Sequence, residues 1–201
     1  MEDTTKVYDD LLDHVMHLLN DHQKPVELVA GSMMAIAQRL YKTALNAEEY
    51  ESTLNWFYDQ REKSTLQLKA TCAPHYYRIL RQRAADEGKS VTFKTHGLDA
   101  VTRGCLGGTG FCFISHTGIV QPCGFLHVNS GDVTKTPFDT IWNSSEVFTR
   151  LRDFKQLTGK CGDCEYKRVC GGCRARAFEA TGDFMAEEPL CSYVPEKKKK
   201  A

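Results

Sequence analysis

The chain has 201 residues, and its 26 Lys and Arg residues balance 26 Asp and Glu residues, so the formal net charge is zero. A neutral chain lacks the basic excess that nucleic acids or anionic membranes attract, and no apolar run approaches the roughly 20 residues that cross a bilayer. The acidic start, Met1-Glu2-Asp3, has no basic and apolar signal region, so we expect a cytoplasmic protein.

The first hundred residues have a mainly helical pattern. Asn46 is a typical N-cap for a helix from Ala47 to about Glu62, and an apolar-rich segment before it runs from Val26 to Tyr41. A still earlier helix is predicted from apolar residues at helical spacing. They are Tyr8, Leu11, Leu12, Val15 and Leu19.

A strand followed by a helix is predicted next. Apolar and polar residues alternate from Thr65 to Thr71, as in a short strand, and Pro74 opens a helix that runs through Ala85. One such unit is typical of an α/β sheet but is not a complete fold.

Residues 101–195 are rich in Gly, Cys and turn residues. The segments Phe111 to Ser115 and Gly118 to Gln121 predict a hairpin, and Pro137 to Arg152 predicts a helix. Its core candidates are Phe138, Ile141, Trp142, Phe148 and Leu151. Residues 196–201 form a lysine-rich tail that we expect to be disordered. The fold class is therefore predicted to be α+β, with a helical part first and a small Cys-rich module after it.

The most informative feature is the set of nine cysteines. Such density is rarely a disulfide framework in a reducing compartment, and nine cysteines cannot all pair within one chain. Two C-x-x-C pairs, Cys161 with Cys164 and Cys170 with Cys173, are separated by only five residues. Zinc ribbons usually separate their pairs by about 15–20 residues, so iron–sulfur ligation is favoured, with a zinc site or structural cysteines as alternatives.

The spacing of these cysteines resembles a SPASM domain, the auxiliary-cluster module of many radical S-adenosylmethionine (SAM) enzymes. The neighbouring residues are similar to the NirJ/Ahb-type enzymes of the alternative haem and d1-haem pathways. The resemblance covers roughly residues 46–195, with one departure: the last close pair is spaced by two residues, where the family usually has three. The matching segments are Leu68-Lys-Ala-Thr-Cys-Ala-Pro-His-Tyr-Tyr-Arg78, Arg103-Gly-Cys-Leu-Gly-Gly-Thr-Gly-Phe-Cys-Phe-Ile-Ser-His116, Gln121-Pro-Cys-Gly-Phe-Leu126 and Cys170-Gly-Gly-Cys-Arg-Ala-Arg-Ala177.

The resemblance implies one or two auxiliary 4Fe-4S clusters. One ligand set would be Cys105, Cys112, Cys123 and Cys173, and the other Cys161, Cys164, Cys170 and Cys191. The family's catalytic C-x3-C-x2-C motif, which holds the SAM cluster, is absent from the 201 residues. The resemblance therefore implies a C-terminal fragment: residues 46–100 as a remnant of the partial α/β barrel, residues 101–195 as the SPASM domain, and residues 1–45 as a helical segment outside the match. SAM would be a cofactor of a full-length enzyme only.

The family resemblance also implies a substrate. Relatives edit porphyrin side chains, and oxidative decarboxylation of iron-coproporphyrin propionates is the expected reaction, with a reductant or electron-acceptor protein as partner. Deacetylation of didecarboxysiroheme, or removal of d1-haem side chains by the sister enzyme, is one alternative. A stand-alone electron-transfer or zinc-binding module without catalysis is another, and neither nucleic acid nor membrane is expected as a partner.

The residues expected near a substrate lie in the segment that precedes the Cys-rich module. Cys72 is the ninth thiol and the candidate catalytic residue, and His75, Tyr76 and Arg78 are expected close to the substrate on the strength of the resemblance. Other positions have plainer interpretations: a solvated basic face for Arg81 and Arg83, surface histidines for His116 and His127, and core aromatics for Trp56, Phe57 and Trp142.

Overall fold

The computed structural model of the chain describes residues 4–26, 28–29, 32–33, 45–63 and 68–199. Internal contacts divide the chain into two compact units, Met1–Leu45 and Asn46–Ala201. The described part of the first unit is dominated by one helix, and the second unit combines helices with a small sheet. The mixed helix and sheet composition confirms the α+β prediction.

The helices and strands follow the chain in this order. The first helix is α1 (Thr4–Asn20), and the second unit begins with α2 (Ala47–Lys63), α3 (His75–Asp86), α4 (Phe93–His96) and α5 (Leu98–Val101). The sheet contains β1 (Phe113–Ile114), β2 (Ile119–Gln121) and β3 (Gly131–Asp132). The helices α6 (Phe138–Ser144), α7 (Glu146–Arg152), α8 (Gly159–Asp163), α9 (Arg174–Thr181) and α10 (Glu196–Lys199) complete the chain, with a short 3-10 turn at Phe154–Gln156.

Helix α2 begins at a capping box. The Asn46 side chain accepts a hydrogen bond from the Glu49 amide, and the Glu49 carboxylate accepts one from the Asn46 amide, both at 2.9 Å. One face of α2 packs against α3, as its helical spacing predicts. The resulting core contains Leu54, Tyr58, Ala70, Tyr76, Tyr77, Ile79 and Leu80, with Tyr50 and Phe57 packed against it. Trp56, expected in a core, is 60% exposed because it points away from this face.

The strand predicted from Thr65 to Thr71 is not confirmed. Residues 64–67 lie outside the described part of the chain, and residues 68–71 adopt coil and turn conformation. The segment leads directly into α3 without pairing with a described strand. The apolar-rich segment from Val26 to Tyr41 also lies largely outside the described residues.

The predicted hairpin is confirmed. Strands β1 and β2 are antiparallel, with Phe113 opposite Gln121, and β2 also pairs with β3, with Ile119 opposite Asp132. The Gly118 amide donates to the Ser115 carbonyl at 3.0 Å and closes the turn. The three strands form one antiparallel sheet in the order β1-β2-β3.

The long helix predicted from Pro137 to Arg152 is two helices. Ser145 adopts an extended conformation (φ −60°, ψ 128°) between α6 and α7 and so interrupts the helical hydrogen bonds. The break lets both helices contribute to a second core, which contains Val120, Leu126, Ile141, Phe148, Leu151, Leu157, Cys161, Phe184 and Met185. Trp142 packs against this core, whereas Phe138 is 41% exposed, contrary to expectation.

The lysine-rich end begins as an ordered helical turn, where disorder was expected. The Lys198 amide donates to the Pro195 carbonyl at 2.9 Å, and the Lys198 ammonium lies 3.9 Å from Asp163. The ion pair places α10 beside α8. Among the described residues, no helix has the length and apolarity needed to span a bilayer.

Candidate iron–sulfur site

One surface cavity is lined by four cysteines. They are Cys161, Cys164, Cys170 and Cys191, the four residues of the second predicted ligand set. Helix α8 carries Cys161, and Cys164 directly follows its last residue, while Cys170 and Cys191 come from later loops. Residues separated by up to 30 positions in sequence thus line one cavity.

The backbone at Gly171 and Gly172 shapes one wall of this cavity. Both glycines have left-handed backbone angles, with φ of 73° and 61°. A Cβ atom at Gly172 would lie 2.5 Å from the Arg174 guanidinium and 3.2 Å from the Cys161 sulfur. Only glycine fits this turn without strain, and it allows the loop to lie beside the sulfurs.

Several N–H groups of the chain already point at sulfur. The Gly172 amide donates to the Cys170 sulfur, and the Glu188 amide to the Cys161 sulfur, each at 3.4 Å. The buried Arg174 guanidinium lies 3.5 Å from the same Cys161 sulfur. Donors of this kind stabilise negative charge on thiolate sulfur and tune the potential of a cluster.

Positive charges line the same cavity. Arg78, Lys160 and Lys167 all face it. The Lys160 ammonium donates to the Cys191 carbonyl at 2.5 Å, and the Lys167 ammonium to the Gly162 carbonyl at 2.7 Å. An iron–sulfur cluster with four thiolate ligands is anionic, so a cavity with four cysteines and three cations fits such a group.

Three of the four thiols that line this cavity, those of Cys164, Cys170 and Cys191, have raised pKa values that favour their neutral form. Burial raises the pKa of Cys164 to about 11 and the pKa of Cys170 to about 12. Burial also raises the pKa of Cys191, although the charges of Arg78 and Lys160 lower it. Binding of a metal centre by these thiols therefore releases protons, and it depends on positive charge at that centre to stabilise the thiolates.

The other predicted set is only partly gathered. Burial raises the pKa of Cys173 and Cys123, and the charge of Cys105 raises both further, so Cys105 lies near each of them. The charge of Cys72 also raises the pKa of Cys123. Cys112 packs against the core around Phe148, and burial raises its pKa. Three of the four predicted residues thus share one region, which Cys72 also approaches.

A buried carboxylate joins the two cysteine groups. Glu188 is 0% exposed, and its amide contacts the Cys161 sulfur while its carboxylate accepts a hydrogen bond from the Cys173 amide at 2.5 Å. Arg176 binds both carboxylate oxygens, at 2.7 and 3.2 Å. Burial by itself raises the pKa of Glu188, but the charge and hydrogen bonds of Arg176 outweigh burial and hold the pKa below its usual range.

The residues expected near a substrate have different positions. His75 and Arg78 line the four-cysteine cavity, whereas Tyr76 is fully buried in the core between α2 and α3. Cys72 is exposed and has a left-handed φ of 57°, which is unusual for a residue other than glycine. His75 has its pKa lowered to about 4, mainly by burial.

The remaining basic and histidine candidates have local partners or face solvent. Arg83 pairs with Asp59 at 2.6 Å, and Arg81 donates to the carbonyls of Tyr77 and Ala100. His116 and His127 are both exposed.

The sequence alone did not point to the polar residues that surround the cysteines. Arg174 and Arg176 stand in the Cys-Arg-Ala-Arg segment, whose alternation was a usable signal. Glu188 follows another glutamate in an ordinary polar stretch and had no signal. Within the described part of the chain, no group of three or more His, Cys, Asp or Glu residues is arranged to hold a single metal ion.

A family model for the SPASM domain, an iron–sulfur cluster-binding domain, matches residues 105–174. Residues 105–174 form a SPASM domain. The match includes every cysteine of the two predicted sets except Cys191, which lies beyond its end. The SPASM resemblance noted in the sequence is thereby confirmed.

The similarity to curated relatives covers more of the chain than the SPASM domain does. The chain is 63% identical over 159 residues to the "AdoMet-dependent heme synthase" of Nitratidesulfovibrio vulgaris, with 79% of this chain and 43% of the relative covered. It is 59% identical over 150 residues to the protein of the same name from Methanosarcina barkeri, with 75% of this chain and 43% of the relative covered. The "Pre-heme d1 synthase" of Dinoroseobacter shibae is 38% identical over 88 residues, with 42% of this chain and 22% of the relative covered.

These matches relate the chain to the radical SAM proteins of haem biosynthesis that carry a SPASM domain. The chain spans about two fifths of the length of the heme synthase relatives that it matches.

Proposed function

We propose that this chain supplies the auxiliary iron–sulfur part of a radical SAM enzyme that oxidatively decarboxylates propionate side chains of iron-coproporphyrin. The observation that carries the proposal is the cavity in which Cys161, Cys164, Cys170 and Cys191 meet three cations. The 63% identity to a heme synthase, against 38% to a pre-heme d1 synthase, favours the heme synthase reaction over the sister reaction. Residues 46–100 would then be the last elements of the partial barrel.

In the proposed enzyme, Cys161, Cys164, Cys170 and Cys191 hold one 4Fe-4S cluster. The SPASM spacing assigns a second cluster to Cys105, Cys112, Cys123 and Cys173.

Other residues support the first cluster. Arg78, Lys160 and Lys167 balance its charge, and the amides of Gly172 and Glu188 fix the sulfurs of Cys170 and Cys161. Arg176 holds Glu188, which in turn binds the Cys173 amide and so fixes one ligand of the second cluster.

The proposed reaction needs an electron acceptor. When a propionate loses one hydrogen atom to a 5′-deoxyadenosyl radical and then loses carbon dioxide, a vinyl group forms and one electron is left over. An auxiliary cluster held by these cysteines would supply an acceptor for that electron, and a partner protein would be its further destination. The SAM cluster itself belongs to a C-x3-C-x2-C segment, which is not among these 201 residues. All nine cysteines are free thiols, which suits a reducing cytoplasm.

Metal content tests the cluster part of the proposal. Anaerobic reconstitution with iron and sulfide should give a brown protein with about eight iron atoms per chain, the content of two four-iron clusters. Stoichiometric zinc in a colourless protein would instead favour the zinc-binding module.

A chimera tests the reaction. Residues 46–195 would replace the matching segment of the Nitratidesulfovibrio vulgaris relative, with a chimera that carries Cys191→Ser as the matched control. The first chimera should convert iron-coproporphyrin to a vinyl product with release of deoxyadenosine, and the control should not. Turnover of didecarboxysiroheme in place of iron-coproporphyrin would favour the sister reaction. No turnover of either by an iron-loaded chimera would favour an electron-transfer module.

A further inference from the structure

The first turn of α3 places a histidine against the four-cysteine cavity. His75 is 0% exposed, and it lines the same cavity as Cys161, Cys164, Cys170 and Cys191. The Tyr50 ring packs edge-on against it, with the ring centres 5.1 Å apart. The imidazole is therefore held in place by packing against Tyr50, in a residue that borders the cavity.

Neither ring nitrogen of His75 has a hydrogen-bond partner among the described residues. The Glu188 carboxylate is a neighbouring acidic group, but its Oε2 lies 3.9 Å from the His75 Nε2, beyond hydrogen-bond reach. Both Glu188 oxygens are already bound by Arg176 and backbone amides. Leaving a buried polar group without a partner costs about 1–3 kcal/mol, so this side chain calls for a partner inside the cavity.

We propose that His75 donates a hydrogen bond to a sulfur of the cluster held by Cys161, Cys164, Cys170 and Cys191, and so raises the reduction potential of that cluster. The inference rests on the proposed function, because it takes a cluster in this cavity as given. A hydrogen bond to sulfur stabilises the reduced state, which is the more negatively charged, over the oxidised state.

The distribution of the other donors supports this role. The Cys161 sulfur is contacted by the Glu188 amide and Arg174, and the Cys170 sulfur by the Gly172 amide. These donors belong to the SPASM domain or to the segment just after it. His75 comes instead from α3, whose neighbouring residues Tyr76, Ile79 and Leu80 are buried in the core shared with α2. A rigid element outside the cysteine loops thus holds a donor at the cavity.

Arg78 reinforces the same geometry from the next turn of α3. It is 2% exposed and lines the cavity, and its guanidinium is fixed by Glu51, by Gln82 at 2.6 Å and by stacking over the Tyr193 ring at 4.8 Å. A fixed cation beside the cavity also favours the more negative state. His75 and Arg78 together would let the first turns of α3 control the reduction potential of the cluster.

The test compares the reconstituted full chain with three variants in redox titrations followed by electron paramagnetic resonance. His75→Leu removes the donor, His75→Gln keeps an N–H donor, and His116→Leu is the matched control at an exposed histidine. We expect His75→Leu to shift the midpoint potential of one cluster signal to a more negative value. His75→Gln should keep the midpoint potential close to that of the wild type. His116→Leu should leave the potentials of both signals unchanged.

A second measurement needs no substitution. With ¹⁵N-labelled histidine in the unaltered chain, pulsed electron paramagnetic resonance of the reduced cluster should show a weak nitrogen coupling, typical of a hydrogen bond to sulfur. A strong coupling typical of direct iron ligation, or no coupling at all, would overturn the proposal. Equal midpoint potentials in iron-loaded wild type and His75→Leu would also overturn it. A wild-type chain that binds no iron would instead refute the proposed function.

Discussion

Arg176 binds both carboxylate oxygens of Glu188, with Nε 2.7 Å from Oε1 and Nη2 3.2 Å from Oε2. The Glu188 side chain is 0% exposed and that of Arg176 is 22% exposed, so solvent screens this pair only weakly. Because Glu188 also binds the Cys173 amide, the pair connects the charge balance of the interior to the position of a proposed cluster ligand.

Removing the cation should be strongly destabilising. Arg176→Met leaves the Glu188 carboxylate buried without its partner, which typically costs about 3–5 kcal/mol, and the partial exposure of Arg176 favours the lower end. We expect the thermal midpoint of the reconstituted protein to fall by about 6–12 °C. The double variant Arg176→Met/Glu188→Met should recover most of the loss. A double variant as unstable as the single one would show that packing around Arg176, not the unpaired charge, is responsible.

Gly104 should tolerate no side chain. A Cβ atom there would lie 2.6 Å from the Pro74 Cα and 2.6 Å from the Cys170 carbonyl oxygen, both of which are backbone atoms. Gly104→Ala must therefore separate the start of α3 from the Cys170 loop, at a cost of about 1–3 kcal/mol in unfolding free energy. Gly110→Ala is the control, because its new Cβ would meet only the Leu106 side chain at 3.7 Å. Equal denaturant midpoints for the two variants would contradict the close approach.

Iron content should separate the two cysteine sets. Cys191→Ser and Cys105→Ser should each retain about four iron atoms per chain where the wild type binds about eight, because each variant removes one ligand from one set. Cys72→Ser should keep the full content, since Cys72 belongs to neither set. Iron and acid-labile sulfide assays after anaerobic reconstitution measure the outcome. Loss of iron in Cys72→Ser would reassign this thiol to the group around Cys123, which its charge influences.

Two phenylalanines in neighbouring helices should differ in their contribution to stability. Phe148 is 0% exposed in the core of the SPASM domain, and Phe148→Ala should lower the unfolding free energy by about 3–5 kcal/mol. Phe138 is 41% exposed, and Phe138→Ala should cost less than about 1 kcal/mol. Chemical denaturation of the reconstituted protein compares the two. A large loss in Phe138→Ala would indicate that this ring is covered in the folded protein.

Local patterns in the sequence predicted the local structure well. The start of α2 at Asn46, the start of α3 after Pro74 and the hairpin of β1 and β2 all follow from capping residues, proline geometry and alternation. These signals act over a few residues and need no tertiary context. The break at Ser145 was not predicted, because no Gly or Pro marks it in the sequence. The exposed Trp56 shows that composition alone does not tell which face of a helix is buried.

The cysteine spacing, together with the resemblance that it carries, determined the family and the type of cofactor. Only the tertiary structure decided that α3 reaches the four-cysteine cavity, where it places His75 and Arg78 among thiols that follow in the chain by more than 80 residues. Only packing, likewise, buried Glu188 between the two cysteine groups. Spacing along a chain limits which ligands can meet within one loop, whereas contacts between distant segments depend on the burial of whole cores, which no local pattern encodes.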